Sequence, residues 1–204
     1  MELASITQQD LMVAGEILKT VFPNSYGSGY LELKKYLNGK SDMNLRPYLI
    51  ILGDVTIGTV GLFEYPEYNN DIWLWEFAIL PQYRGKGYGK QVLSQIIELA
   101  KEDKSKQTFR LWTYEGWNKD AQPLYNKYMQ LKETYSNRDD SRYEIENGKP
   151  LVYTFSLTNK KPKPFGNKFL DLGREDRNHK KGVRTFKADM GSYTKSTGAP
   201  KEAL

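Results

Sequence analysis

A basic, glycine-rich segment at residues 84–90, Arg-Gly-Lys-Gly-Tyr-Gly-Lys, combines residue types that suit phosphate binding. It follows an apolar run at residues 72–80 and precedes a helical pattern, so it is predicted to join a strand to the start of a helix. The first N–H groups of a helix lack partners within the helix and lie at the positive end of its dipole. Because glycine has no Cβ, a phosphate oxygen can approach such N–H groups, and the basic side chains add positive charge. The segment is therefore predicted to bind a pyrophosphate group.

Two common phosphate-binding motifs do not fit this segment. The dinucleotide motif Gly-x-Gly-x-x-Gly, counted from Gly85, would need glycine where the chain has Lys90. The P-loop motif needs a glycine five residues before Gly-Lys-Ser/Thr, but Gly89 is preceded at that distance by Arg84, and Gln91 follows Lys90. The remaining alternative is a glycine turn that only connects the strand to the helix.

Glu76 is a lone carboxylate in the apolar run, which otherwise has the pattern of a central strand covered on both faces. Burial without a partner would raise its pKa and suit it to accept a proton from an ammonium group near neutral pH. The alternative is a structural glutamate that pairs with a buried arginine or with one of the chain's 15 tyrosines.

A second spacing places an asparagine seven residues before a tyrosine, in the segment Asn118-Lys-Asp-Ala-Gln-Pro-Leu-Tyr125. Asn118 can cap a helix, and Tyr125 would then lie one to two turns along it. Pro123 is tolerable only near the start of such a helix. A Leu-Tyr pair is also typical of ordinary core packing, so the spacing is informative only together with the glycine-rich segment.

Both segments resemble motifs of the GCN5-related N-acetyltransferase (GNAT) family. Arg84, Gly87 and Gly89 match its acyl-CoA signature of Arg or Gln, two residues, Gly, one residue, and Gly or Ala. Residues 118–125 match its pattern of Asn, two residues, Ala, two residues and Leu-Tyr. The resemblance covers about residues 1–157 and is specific only in these two segments.

The resemblance implies an α/β fold of the GNAT type, with a mixed sheet, in which the acyl-CoA motif joins the fourth strand to the third helix. The fourth and fifth strands would separate to admit the pantetheine arm of acetyl-CoA, and the loop amides would hold its pyrophosphate. Tyr125 would protonate the leaving thiolate, and no metal would take part. Cofactor contacts are expected at Phe77, Ala78, Ile79, Arg84, Gly85, Lys86, Gly87, Tyr88, Gly89, Lys90 and Asn118.

The resemblance leaves the general base open. Thr113 stands at a strand position where some relatives carry a glutamate base, so the candidates are Glu76, Glu115 or a chain of water molecules. Glu76 and Tyr125 are the predicted catalytic residues. The acceptor is expected to contact an aromatic loop at residues 24–30 and an acidic, aromatic turn at residues 64–71, although both are also typical of plain surface segments. The residues expected to contact it are Tyr26, Tyr30, Glu64 and Trp75.

Apolar periodicity predicts the elements that position these residues. Strands are expected at residues 3–7, 47–52, 55–63, 72–80, 108–113, 129–136 and 149–157. Helices are expected at residues 8–22, 31–37 and 89–101. The strands at 47–52 and 55–63 are predicted to form an antiparallel hairpin around Gly53-Asp54, and the helix at 89–101 makes the strands before and after it parallel.

Composition limits the chemistry available to the chain. Its 204 residues, 39% hydrophobic, are enough for one domain, predicted at residues 1–157. No cysteine is present, which excludes disulfides, thiolate metal sites and an acyl-cysteine intermediate. The single histidine, His179, makes a Ser-His-Asp triad or a histidine-rich metal site improbable. No apolar run approaches the roughly 20 residues that span a bilayer, so a soluble, cytoplasmic protein without membrane contact is expected.

The net charge of +5 is unevenly distributed. Residues 158–204 hold 12 Lys and Arg but only 5 Asp and Glu, whereas residues 1–157 are slightly acidic. This extension begins with a basic, proline-containing linker and is predicted to be mostly polar. Basic segments of this kind bind polyanions in a salt-dependent way.

The predicted function is transfer of acetyl from acetyl-CoA directly to a primary amine. The acceptor would be polyamine-like, aminoglycoside-like or a protein amine. The alternative is a non-catalytic, CoA-binding module of the same fold that binds nucleic acid or the ribosome through its extension. The expected partners are acetyl-CoA, an amine and, more weakly, a polyanion, and a homodimer is left open beside a monomer.

Overall fold

A computed structural model describes residues 1–23, 26–117, 119–135 and 148–166 of the chain. In this part of the chain, seven strands form one sheet in the order β1-β2-β3-β4-β5-β7-β6. The strands are β1 (Glu2–Ser5), β2 (Arg46–Leu52), β3 (Val55–Phe63), β4 (Asp71–Ile79), β5 (Thr108–Tyr114), β6 (Leu131–Thr134) and β7 (Pro150–Ser156). The helices are α1 (Leu11–Val21), α2 (Tyr26–Leu37), α3 (Tyr88–Glu102) and α4 (Gln122–Tyr128). Short 3-10 turns lie at Gln8–Asp10, Pro66–Tyr68 and Pro81–Tyr83.

Neighbouring strands are antiparallel except for β4 and β5, which the α3 crossover makes parallel, as predicted. Their pairing is short: it joins Asp71–Trp73 to Thr108–Arg110. Beyond these three residue pairs, β4 continues to Ile79 and β5 continues to Tyr114, and no further residues of these two fully described strands pair with each other. The two strands therefore separate, which agrees with the expectation from the family resemblance.

Helices cover both faces of the sheet. On the first face, α3 and α4 pack against a cluster that includes Ile57, Ile72 and Phe109. The side of α3 predicted from periodicity is buried throughout, at Val92, Leu93, Ile96, Ile97 and Ala100. On the second face, α1 and α2 pack against a cluster that includes Trp73 and Trp75. Both faces of β4 are thus covered, and the prediction of a central strand is confirmed.

The structure corrects the prediction that residues 24–30 form a loop. Helix α2 begins at Tyr26 and runs without a break to Leu37, so it includes the Gly-Ser-Gly sequence at residues 27–29. Glycine and serine are weak helix formers, which is why the sequence favoured a loop. Tertiary packing outweighs this preference, because Leu33 is fully buried and Gly29 and Tyr30 both make close contacts with other elements. Residues 24 and 25 lie outside the described part.

The start of the C-terminal extension packs against the second face of the sheet. Phe165 is only 3% exposed, and its ring lies 5.0 Å from the Trp73 ring and 5.1 Å from the Arg110 guanidinium. The Glu133 carboxylate accepts hydrogen bonds from the backbone N–H groups of Phe165 (2.8 Å) and Gly166 (2.9 Å). The packed unit therefore includes residues beyond Leu157. The extension from residue 167 onward lies outside the described part.

Candidate active site

A β-bulge in β4 redirects the backbone at Glu76. Thr59 pairs with Ala78 and Gly61 pairs with Trp75, so the β3–β4 register shifts by one residue around Glu76. Glu76 has a φ of 38° and is the only residue other than glycine with positive φ in the described part of the chain. Such a conformation costs roughly 1–3 kcal/mol and is concentrated at functional sites. The Thr59 hydroxyl donates a hydrogen bond to the Glu76 carbonyl oxygen at 3.2 Å.

The Glu76 carboxyl is partly buried beneath α2. Burial raises its pKa to about 7, and no charged group in the described part of the chain contributes to the shift. The best-buried arginine, Arg110, pairs with Asp71 instead (Nε to Oδ2, 3.0 Å). A carboxyl with this pKa exchanges its proton near neutral pH, which is what the first of its two predicted roles requires.

The glycine-rich loop lies between the end of β4 and the first turn of α3. Arg84 ties it to the strand, because its Nε donates a hydrogen bond to the Ile79 carbonyl oxygen at 2.8 Å. Gly85 and Gly87 have φ values of 74° and 80°, and no other atom lies within 4 Å of the position that a Cβ would occupy. Gly87 is the N-cap of α3, whose first turn holds no acidic residue. The open, acid-free helix start fits a pyrophosphate group.

The basic and aromatic residues of the loop surround this helix start. The Nζ atom of Lys86 lies 5.8 Å from the Tyr83 ring centre, and that of Lys90 lies 5.7 Å from the Tyr128 ring centre. Tyr88 is partly buried against the first-face core. These contacts keep two ammonium groups beside the open loop, where they would favour an anion.

The end of β4 connects the loop to Glu76. Phe77 and Ile79 approach the start of α3, since a Cβ at Gly89 would lie 3.9 Å from a side-chain carbon of each. Ala78 is fully buried, and its carbonyl group lies close to Gly58 of β3. These three predicted cofactor residues therefore lie on the stretch of β4 that no longer pairs with β5.

Tyr125 lies on the short helix α4 and is 5% exposed. Burial, and to a lesser extent the neighbouring Tyr153 hydroxyl, raises the pKa of Tyr125 well above its usual value. The two rings lie 5.6 Å apart. A tyrosine with an ordinary pKa is already protonated at neutral pH, and burial keeps Tyr125 protonated at more alkaline pH as well, so its hydroxyl is a possible proton donor. Pro123 lies in the first turn of α4, the position where the sequence allowed it.

The helix cap differs from the expectation. α4 begins at Gln122 with Ala121 as its N-cap, so Asn118 lies three residues before the cap, and it falls outside the described residues. Sequence reasoning missed Gln122, whose side-chain amide donates to the carbonyl oxygens of Glu115 (3.0 Å) and Trp117 (2.9 Å). These bonds fix the path from β5 into α4. The place of Gln122 directly before Pro123, at the predicted start of a helix, was the signal that could have identified it.

The second candidate base has a structural role. Glu115 accepts a hydrogen bond from the Lys149 N–H at 3.0 Å, and the Glu115 N–H donates to the Lys149 carbonyl oxygen at 3.0 Å. These bonds join the ends of β5 and β7. Thr113, nearby on β5, is buried, and its hydroxyl makes no hydrogen bond within the described residues.

The side chains of three of the four predicted acceptor contacts are described. Tyr30 packs against Gly15 of α1, and Tyr26 begins α2, although its side chain is not described. Trp75 is 5% exposed within the second-face core. The Glu64 carboxylate pairs with the Lys106 ammonium group (2.5 Å) and with the Arg46 guanidinium (3.3 Å). It also accepts a hydrogen bond from the Asn44 side-chain amide at 3.0 Å. Glu64 and Trp75 therefore have structural contacts, and Tyr30 of α2 directly follows Gly29, which lies against Glu76.

No group of three or more potential metal ligands occurs in the described ranges, and no helix there is long and apolar enough to cross a membrane. The predicted polyanion-binding extension lies almost entirely outside those ranges.

Comparison with known proteins places these features in a family. A profile of the acetyltransferase (GNAT) family matches residues 13–129, more than half of the chain. Over 97 residues the chain is 27% identical to the L-2,4-diaminobutyric acid acetyltransferase of Vibrio cholerae serotype O1, and the match covers 48% of this chain and 53% of that protein. The chain thus spans about half the length of the curated relative it matches.

Solved structures confirm the mixed α/β fold predicted from the sequence. A spermidine N-acetyltransferase chimera of Vibrio cholerae SpeG and hSSAT superposes with a TM-score of 0.60 at 16% identity, covering 76% of this chain and 94% of the chimera. An aminoglycoside 6'-N-acetyltransferase complexed with coenzyme A gives a TM-score of 0.59 at 12% identity, covering 78% of this chain and 99% of that one. At such identities the likeness concerns the fold alone.

Proposed function

The chain belongs to the acetyltransferase (GNAT) family, and from this premise we propose that it transfers an acetyl group from acetyl-CoA directly to a primary amine. The observation that carries the proposal is the position of Glu76. Glu76 lies at a strained bulge on the part of β4 that no longer pairs with β5, and burial raises the pKa of its carboxyl to about 7. Three residues later the strand ends and leads into the open glycine-rich loop.

The loop residues fit the phosphate end of acetyl-CoA. The free space at Gly85 and Gly87 and the absence of acid in the first turn of α3 suit a pyrophosphate, and Lys86 and Lys90 supply positive charge. When bound, acetyl-CoA supplies an acetyl group activated as a thioester. The coenzyme A complex of the aminoglycoside enzyme, which shares the fold, supports this assignment.

Two side chains handle the protons of the reaction. Glu76, ionised at and above neutral pH, accepts the proton of the ammonium group and so frees the amine nitrogen to attack the acetyl carbon. Tyr125, kept protonated by burial, donates its proton to the sulfur as the carbon–sulfur bond breaks. The new bond is an amide, and the proton given up by Tyr125 is recovered from the amine nitrogen through solvent.

We assign the acceptor to small amines that carry more than one ammonium group. The names of the similar proteins support this class, because diaminobutyric acid, spermidine and aminoglycosides each carry two or more amino groups. Residues 1–157 carry a slight excess of acidic residues, which also favours a cationic substrate. Protein amines are the comparison class in the test below.

The proposal is tested by measuring thiol release from acetyl-CoA, with mass detection of the product, across diamines, polyamines, aminoglycosides and peptides. We expect turnover with at least one small polyamine and a loss of 100-fold or more, on the order expected for a positioned base, in Glu76→Gln. Glu115→Gln is the matched control, because an amide still accepts the Lys149 hydrogen bond. The absence of turnover with every amine, or a loss in Glu115→Gln but not in Glu76→Gln, would contradict the proposal.

A further inference from the structure

The carboxyl group of Glu76 lies directly against Gly29 of α2. A Cβ placed at Gly29 would stand 2.8 Å from Oε1, 2.9 Å from Cδ and 3.0 Å from Cγ of Glu76. Contacts this short do not form, so any larger residue at position 29 would force the carboxyl or the helix to move. Gly29 lies within a helix and does not have positive φ, so the requirement for glycine here concerns space and not backbone conformation.

This glycine weakens the helix that contains it. Glycine inside a helix costs about 1 kcal/mol relative to alanine, and Gly27 two residues earlier adds to the cost. α2 is therefore intrinsically weak at the point where it meets Glu76. The close approach to the carboxyl gives a physical reason for the glycine at this position.

A second glycine contact holds α2 against α1. The Tyr30 ring lies against Gly15 of α1, where a Cβ would stand 2.8 Å from the ring carbon Cε2. Leu33, one turn further along α2, is fully buried. α2 is thus held by α1 and by the second-face core, without the help of Glu76. The space at Gly29 is therefore set by the surrounding packing.

We propose that Gly29 is a positioning residue, whose missing side chain leaves the space in which α2 holds the Glu76 carboxyl. The inference rests on the proposed function, because it concerns the base of that reaction. The bulge fixes the Glu76 side chain at its backbone end, and Gly29 fixes it at its carboxyl end. Burial raises the pKa of the partly buried Glu76, and no charged group of the described parts of α2, β3 or β5 contributes to the shift.

The first test is Gly29→Ala in the full chain. We expect kcat with acetyl-CoA and the best amine to fall by about 10- to 100-fold, in line with the cost of misplacing a catalytic group by an ångström. The KM for acetyl-CoA should stay within about twofold, and the midpoint of the pH–rate profile should move. Gly15→Ala is the matched control, since it also meets a side chain of α2 but does not touch Glu76, and its midpoint should equal that of the wild type.

Rescue by a shorter acid separates positioning from a general defect. Aspartate at position 76 withdraws the carboxyl by one methylene and makes room for a Cβ at position 29. Glu76→Asp alone should lower kcat, but combined with Gly29→Ala it should give a kcat at least about fivefold above the product of the two single effects. A wild-type kcat and pH midpoint in Gly29→Ala, or strictly multiplicative effects in the double variant, would overturn the inference.

A stability measurement tests the contact without activity. In the wild type, Gly29→Ala should lower the urea midpoint of unfolding, because the new Cβ clashes with the Glu76 carboxyl. In a Glu76→Ala background the clash is gone, so the higher helix propensity of alanine should raise the midpoint. The same sign in both backgrounds would overturn the inference about Gly29. If Gly29→Ala shifts the urea midpoint in opposite directions in the two backgrounds but the protein turns over no amine, the contact stands and the proposed function is overturned. The catalytic role of Glu76 is then overturned with it.

Discussion

Among single side chains, Tyr125 offers the sharpest test of a proton donor. Tyr125→Phe should lower kcat by about 10² to 10⁴, with acetyl-CoA affinity unchanged, because only the hydroxyl is lost from a ring that remains packed. Tyr153→Phe is a control from the same cluster, where the hydroxyl bonds to Asn126 (3.2 Å), and its kcat should change by less than about threefold. Equal rates in Tyr125→Phe and the wild type would mean that Tyr125 only packs in the core.

The raised pKa of Glu76 predicts how stability depends on pH. Its folded-state pKa of about 7 exceeds the ordinary value of 4.5, so the folded chain holds the proton more tightly than the unfolded chain. Wild-type stability should therefore decline between about pH 4.5 and 7, by about 3 kcal/mol at most. Glu76→Gln lacks this decline, so urea unfolding should show its advantage over the wild type growing through that interval. A difference independent of pH would contradict the raised pKa.

The pH dependence of activity follows from the same residue. Because the base must be deprotonated, kcat/KM should rise with pH and level off above about pH 7. The rising limb should be missing from the residual rate of Glu76→Gln. Residue pattern made Glu76 a candidate base, and the family resemblance made Tyr125 a candidate acid. They did not identify the structural contacts of Glu64 and Glu115, since the partners that occupy these carboxylates are distant in sequence.

Among the elements, the segment from β4 through the loop to α3 tests the phosphate site. Gly87→Asp should abolish measurable acetyl-CoA binding in calorimetry, because it adds a negative charge at the open helix start. Gly39→Asp is a matched control: Gly39 also has positive φ (64°) and open surroundings, but it follows α2 and is not part of the glycine-rich loop. Both variants should lose similar stability, and only the first should lose binding. Unchanged affinity in Gly87→Asp would remove the phosphate assignment.

The same segment was predictable because several local signals agreed on it. An apolar run, a proline, glycines and a helical periodicity follow one another, and the structure places β4 and α3 within one residue of the predicted bounds. The helix at residues 31–37 was predicted, but the first turn of α2 and the bulge at Glu76 were not predictable. The helix contradicts the local preference of Gly27 to Gly29, and no glycine marks the positive φ at Glu76, so both depend on tertiary contacts.

At the scale of the whole molecule, the contacts of Phe165 with Trp73 and Arg110 predict that the stably folded part of the chain extends beyond Leu157. The division predicted at residue 157 stays a prediction, and a chain ending at Leu157 would expose the Trp73 surface and leave Arg110 without its contact to Phe165. We expect its stability to fall by about 3–5 kcal/mol relative to a chain ending at Gly166, as for removal of a buried phenylalanine.

Urea unfolding of the two truncated chains measures this difference, with Phe165→Ala in the full chain as the matched point variant. Phe165→Ala should reproduce most of the loss, since Phe165 is the most buried of the described residues of the extension. Equal stability of the chains ending at 157 and 166 would restore the predicted boundary. The sequence could not decide this, because a phenylalanine after a run of lysines and prolines is also typical of an unpacked linker.

The strand order has a consequence for synthesis of the chain on the ribosome. β7 lies between β5 and β6, so β6 emerges before the strand it pairs with, and β5 has its antiparallel partner only after residue 156 has been made. The ring of Phe165 follows later still. The N-terminal hairpin and the β4–α3–β5 crossover can form early, but one edge of the sheet waits for the last described residues. The chain must therefore be synthesised through residue 165 before the core on the face that α1 and α2 cover is complete.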